Sequence, residues 1–200
     1  MKYSPDKHNR RSIRLEGYDY ASPGAYFITL CTHQRQCLLG QIVDSQMRLN
    51  DFGRIVAQEW QKSAAIRQEI DFDAWVVMPN HVHGIVLITS TDSPMGGVGA
   101  RGLSPLRTHQ NSYPHRTDKR GIMPLMKTRS LSSFMAGFKT ITTKRINIYR
   151  DASGTPVWQR NYYDHIIRNE TALHNIRHYI QTNPQRWQTD QLHPDNPSKW

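Results

Sequence analysis

Cysteine is nearly absent from this chain: only Cys31 and Cys37 occur in 200 residues. They build neither a disulfide framework nor a CxxC zinc signature, and both read as free thiols. No run of eighteen apolar residues is present, so no membrane-spanning helix is expected. The opening stretch MKYSPDKHNRRSIRLEGY has no apolar core of the signal-peptide type. These absences predict a soluble, cytoplasmic protein with no membrane partner. A GxxxxGK[ST] loop is missing as well, which argues against a nucleotide-hydrolysing engine. Acidic residues are in deficit: 16 Asp and Glu stand against 26 Lys and Arg, a formal charge of +10. That balance suits a partner rich in phosphate, because each neutralised phosphate releases condensed counterions, although charge alone does not decide the matter.

The length fits one domain with a core of its own. Residues 1–17 form a basic arm carrying Arg10, Arg11 and Arg14, placed to lie along a phosphate backbone. AYFITLCT, from Ala25, is dense in aromatic and β-branched residues and predicts a strand. A short hairpin follows over 38–49, with Asp44 and Ser45 between its strands. Phe52, Ile55, Val56, Trp60 and Ala64 recur at helical spacing behind Asn50, predicting a helix to about Ile66. FDAWVVM and HVHGIVLI read as two antiparallel strands joined by Pro79 and Asn80. Residues 91–129 are rich in Gly and Pro, with seven Lys or Arg against two Asp, and read as a long mobile basic loop. A helix begins at Ser130 or Ser132 and carries Lys139, Lys144 and Arg145 as a candidate basic surface. VWQRNYYDHII, 157–167, reads as one strand, bringing Arg160 and Arg168 with it. NETALHNIRHYIQTN, 169–183, is a helix capped by Asn169 and stopped by Pro184. The order predicts an α+β fold: a ferredoxin-like βαββαβ antiparallel sheet, helices on one face, and one added C-terminal helix.

The chemistry-bearing residues lie in two places. Side chains at i and i+2 of a strand share a face, so His81 and His83 project together; the pair could form half of a metal site, or one could be a hydrogen-bonded core histidine and the other face solvent. Tyr179 and Asn183, four apart, share a helical face. Imidazole suits Zn²⁺, Mn²⁺ or other divalent ions, so two histidines do not choose among them. Tyr149, Tyr162 and Tyr163 compete with Tyr179 as candidate nucleophiles on composition alone.

WVVMPNHVHGIVLI, WQRNYYDHIIR and HYIQTNP together resemble the single-tyrosine HUH transposases, in particular the REP-associated tyrosine transposases. The resemblance covers about 25–88 and 130–187 and leaves out the glycine-rich loop. It implies that Tyr179 attacks a DNA phosphate, forming a 5′-phosphotyrosine and freeing a 3′ hydroxyl. It further implies that His81, His83 and Asn183 hold Mg²⁺ or Mn²⁺. The implied partner is single-stranded DNA at hairpin-marked or repeat ends, and the implied state is a monomer or a homodimer. The DNA contacts are expected from Arg10, Arg11, Arg14, Lys139, Lys144, Arg145, Arg160 and Arg168. Two other functions stay open on the residues alone: a DNA-binding regulator that no longer cleaves, and a metal-dependent phosphodiesterase that uses water in place of Tyr179.

Overall fold

The computed structural model describes residues 18–89 and 128–196. The basic arm with Arg10, Arg11 and Arg14, and residues 91–127 of the expected loop, lie outside the described residues. Among the described residues nine strands and α-helices follow one another: β1 (Gly24–Cys31), β2 (Gly40–Val43), β3 (Gln46–Leu49), α1 (Asp51–Ile66), β4 (Ile70–Val77), β5 (His81–Ile88), α2 (Leu131–Tyr149), β6 (Tyr163–Ile167) and α3 (Glu170–Thr182). β4, β5, β1 and β6 form a four-stranded sheet in that order, every neighbouring pair antiparallel. This is the ferredoxin-like strand order that the βαββαβ pattern predicts. β2 and β3 make a separate hairpin, turned by Asp44 and Ser45 at φ of 50° and 60°, the left-handed pair that a two-residue turn requires. None of the helices in the described residues is long and apolar enough to cross a membrane.

The helix starts follow capping chemistry. Asn50 accepts from the Gly53 amide, Asn169 accepts from the Ala172 amide, and Ser130 with Ser133 forms a reciprocal capping box. Period-two alternation in the strands then divides the molecule into two cores. Tyr26, Ile28, Leu30, Val82 and Val86 face α1 and α2, meeting Trp60, Phe134, Met135 and Phe138. Ala25 and Ile85 face the other way, with Phe27 and Val76 beside them, and meet Leu173, Ile180 and Tyr179 of α3. So α1 and α2 cover one face of the sheet, and α3 covers the face on which the odd-numbered residues of β5 project.

Two local features set these layers. Gly84 lets the indole of Trp60 lie against β5, since a Cβ there would meet Trp60 Cζ2 at 2.5 Å. A bulge between Phe72 and Trp75 keeps both rings on the α1 side and turns Asp73 toward α3. One expectation needs correcting: 157–167 is not a continuous strand. Trp158 bridges Thr32 and Tyr163 pairs with Thr29, so β1 advances three residues where its partner advances five. The two extra residues leave the sheet between Trp158 and Tyr163. Trp158 is drawn into the α1–α2 core, where its Nε1 donates to Thr142 Oγ1 at 2.8 Å.

Candidate active site

One row of the sheet carries the centre of the site. Tyr163, Thr29, His83 and Val76 are cross-strand neighbours, and Cys31 pairs with His81 one step along. The ring centroids of His81 and His83 lie 4.4 Å apart, as the HVH spacing predicts. Both are enclosed: His81 is 0% and His83 2% exposed. α3, the Phe27 ring stacked 5.3 Å from His83, and Trp187 6.1 Å from His81 enclose them. Burial holds both imidazoles neutral, His81 down to about 3 and His83 well below its ordinary range, where His81 adds to the effect. A neutral imidazole is the form that binds a metal.

The hydrogen bonds fix which nitrogen is bare. Asn80, read from the sequence as a turn residue, is fully buried; its amide group donates to the carbonyls of Arg35 and Leu192. Its Oδ1 is therefore an acceptor for His81 Nδ1, 2.7 Å away, which places the proton on Nδ1 and leaves Nε2 with a free lone pair. Thr29 Oγ1 lies 2.8 Å from His83 Nδ1, a contact in which either atom can donate, and it leaves His83 Nε2 facing the Tyr179 hydroxyl. Outer partners of this kind orient metal-binding imidazoles.

Asn183 completes the enclosure. Pro184 predicts that the helix stops there, yet Asn183 keeps helical angles, φ −57° and ψ −43°, and the chain runs on into a 3₁₀ turn over Pro184–Thr189. Its side chain is buried beside both His81 and Tyr179. Asn183 Nδ2 donates to Asp190 Oδ2 at 2.9 Å, and Asn183 Oδ1 has no donor. His81 Nε2 has none either. Two buried acceptors without a donor, together costing about 2–6 kcal/mol, are the arrangement a cation relieves. Asp190 was not foreseen: its carboxylate is buried, and ligand atoms of His81, His83 and Asp190 lie within 4.8 Å of one another. Nitrogen and carboxylate donors of this type fit a divalent metal ion.

Tyr179 reaches into this cluster. Its hydroxyl stands 3.1 Å from His83 Nε2, while Tyr149 lies at the far end of α2 against Phe52 and Asp51. Burial, with the Asp190 charge behind it, pushes the phenol up to about 12, and Asn183 offsets part of this by hydrogen bonding. A protonated phenol is a weak nucleophile, so a neighbouring positive charge would favour the phenolate. α3 is held in place by Arg177, whose Nε and Nη2 bind the two carboxylate oxygens of Asp73 at 2.8 and 2.5 Å. His178 is exposed on the other side of the helix.

The basic residues separate by position. Lys139 is half-buried, and its ammonium donates to the carbonyls of Gln159 and Arg160 at 2.6 and 2.8 Å. Arg145 pairs with Glu59 at 2.6 Å and also binds Gln58, joining α2 to α1. Lys144 is exposed on α2, which covers the face away from the histidines. Arg160 and Arg168 are exposed, one before and one after β6.

No protein-family model matches the chain. An uncharacterized protein of Haemophilus influenzae is 38% identical over 194 residues, spanning 97% of this chain and 98% of that protein. The structure of a REP-associated tyrosine transposase bound to a REP hairpin superposes with a TM-score of 0.54 at 18% identity, over 87% of this chain and 74% of that one. At that identity the likeness is one of fold.

Proposed function

We propose, from the premise that this chain belongs to one family with the uncharacterized Haemophilus influenzae protein, that it cleaves and rejoins single-stranded DNA through a tyrosine-linked intermediate. Its activity is that of a transposase. One observation carries the proposal: the Tyr179 hydroxyl sits 3.1 Å from His83 Nε2, beside a buried His–His–Asp group. The fold shared with a REP-associated tyrosine transposase supports it, and that protein's hairpin ligand suggests hairpin-marked single strands as the substrate.

In this reaction Tyr179 Oη bonds to phosphorus and the bond from phosphorus to the 3′ oxygen breaks. The proton lost by the phenol is balanced by one gained at the freed 3′ hydroxyl. The phosphotyrosine keeps the bond energy for the reverse step on a new end, so no nucleotide cofactor is consumed. His81, His83, Asn183 and Asp190 would hold the divalent ion, Mg²⁺ or Mn²⁺, which polarises a phosphate oxygen when bound. Asn80 holds His81 in the tautomer this needs, and Thr29 orients the His83 ring. Arg177 and Asp73 fix α3 so that the phenol keeps one orientation toward the phosphate, a positioning effect worth about one to two powers of ten in rate. Such a protein works where DNA is, in the cytoplasm. Labelled single-stranded DNA with hairpin ends, incubated with Mn²⁺ and run on a denaturing gel, is expected to give a covalent protein–DNA band. Cleavage that persists in Tyr179→Phe would instead assign the nucleophile to water.

A further inference from the structure

The α3 face opens into a cleft of about 380 Å³ that shares Tyr179, His83 and Thr29 with the reaction described above and extends beyond them. Phe27, Thr29, His83 and Tyr163 line it together with Gln159, Asn161 and Gln191, of which Asn161 and Gln191 are exposed and Gln159 half-buried. The cleft exists because of the excursion in the edge strand. A regular strand over 157–163 would place its residues alternately on the two faces of the sheet. The Lys139 ammonium instead comes from the opposite layer and takes the carbonyls of Gln159 and Arg160, so these residues are held outside the β1–β6 ladder. Gln159 keeps one tie to β1 through its amide and the Cys31 carbonyl. Bulges of this kind re-aim side chains next to active sites. The turn that brings Arg35 to the same cleft holds Gln34 and Arg35 at φ of 54° and 55°, a left-handed conformation that non-glycine residues seldom adopt.

We propose that this cleft receives one unpaired nucleobase next to the phosphate that Tyr179 attacks, with its edge read by the carboxamides of Gln159, Asn161 and Gln191. The inference rests on the strand-transfer function proposed above and names the part of the substrate that this surface selects. Size and chemistry both favour that occupant. The volume lies near the lower end of the range of about 300–1000 Å³ for small-molecule sites, large enough for a nucleotide and too small for a duplex. Aromatic rings supply flat stacking surface, which binds bases whatever their identity. Carboxamides offer a donor and an acceptor side by side, the pairing that base edges require and phosphate does not. The lining includes no carboxylate and, apart from the histidine, one cationic side chain, Arg35. A phosphate site would gather cations, and an amine site would gather acids. The base must be unpaired, because its edge is occupied in a duplex.

Two measurements on the full-length protein with Mn²⁺ test this. In the first, hairpin oligonucleotides with a randomised single-stranded arm are cut by wild type, Gln159→Ala and Asn161→Ala, and the products are sequenced. Wild type is expected to prefer one base at one position flanking the cut. The variants should flatten that preference by about five- to a hundredfold, the discrimination of one well-made base contact. In the second, Tyr179→Phe is photo-cross-linked to the same pool carrying 5-iodouracil. Cross-links are expected on the peptide containing residues 159–163 or on Phe27. Cutting with preferences unchanged in the variants and cross-links elsewhere overturns the base site and leaves strand transfer standing. Cross-links in the cleft without any cutting do the reverse. An absence of both cutting and cross-links overturns both.

Discussion

Adding Mn²⁺ to metal-free protein should raise its melting temperature, and the size of the rise follows from the site. His81 Nε2 and Asn183 Oδ1 are buried acceptors without donors, so the metal-free fold carries a penalty that a cation in their midst removes. A ligand at about one hundred times its dissociation constant stabilises the fold by about 2.7 kcal/mol. For a chain of this length each kcal/mol moves the midpoint by about 2–4 °C, giving an expected rise of about 5–11 °C. In His81→Ala one ligand is gone. If affinity falls a hundredfold at the same Mn²⁺ concentration, the gain shrinks to about 0.4 kcal/mol, or about 1–2 °C. Asn80→Ala, which frees the imidazole to turn, should fall between the two. The assay is differential scanning fluorimetry after chelation, with and without added Mn²⁺, read as the difference within each variant so that altered metal-free stability cancels. Equal rises in wild type and His81→Ala would refute the placement of the cation.

Other expectations concern pH, packing and positioning. His81 is held at about 3 by burial, against about 6.5 in an unfolded chain. Above pH 6.5 both states are neutral; as pH falls below that, the unfolded state takes up a proton that the folded state refuses. Unfolding free energies from urea titrations in chelator should therefore drop between pH 7 and 4.5, by up to about 2–3 kcal/mol for His81 alone, with His83 acting in the same direction. A flat profile would contradict the buried, neutral pair. Gly84→Ala drives a methyl group against Trp60 and should cost about 1–3 kcal/mol, measured by denaturant unfolding. Arg177→Met breaks a partly exposed pair, so stability should change by no more than about 1 kcal/mol. Its covalent-adduct rate should nonetheless fall about 10- to 100-fold while the Mn²⁺ rise persists, because α3 loses its tie to β4.

Spacing made half of the site legible. The i, i+2 relation put His81 and His83 on one face, the i, i+4 relation put Tyr179 beside Asn183, and Asn50, Ser130 and Asn169 marked the helix starts. Burial of the histidines was not legible, since their enclosure depends on α3 and Trp187, which lie about a hundred residues downstream. Asp190 escaped notice because it follows the helix in irregular chain, where no period ties a carboxylate to the face of Asn183. Asn80 carries the letter of an ordinary turn residue, and only its contacts with Arg35 and Leu192 reveal a second task. Lys139 and Arg145 read as surface charge on a helix; their partners, two carbonyls and Glu59, come from other elements. VWQRNYYDHII looked continuous because apolar residues resume after the excursion, and nothing local marks the two residues that leave the sheet.

The central claim is that Tyr179 is the group that bonds to DNA. Wild-type protein, single-stranded DNA labelled 3′ to the cut site, and Mn²⁺ should yield a band that survives denaturation and is abolished by protease. Mass spectrometry should place the nucleotide on the peptide containing Tyr179, and Tyr179→Phe should yield no band while keeping its Mn²⁺-dependent melting rise. An adduct that persists in Tyr179→Phe, or maps to Tyr162 or Tyr163, would contradict the account.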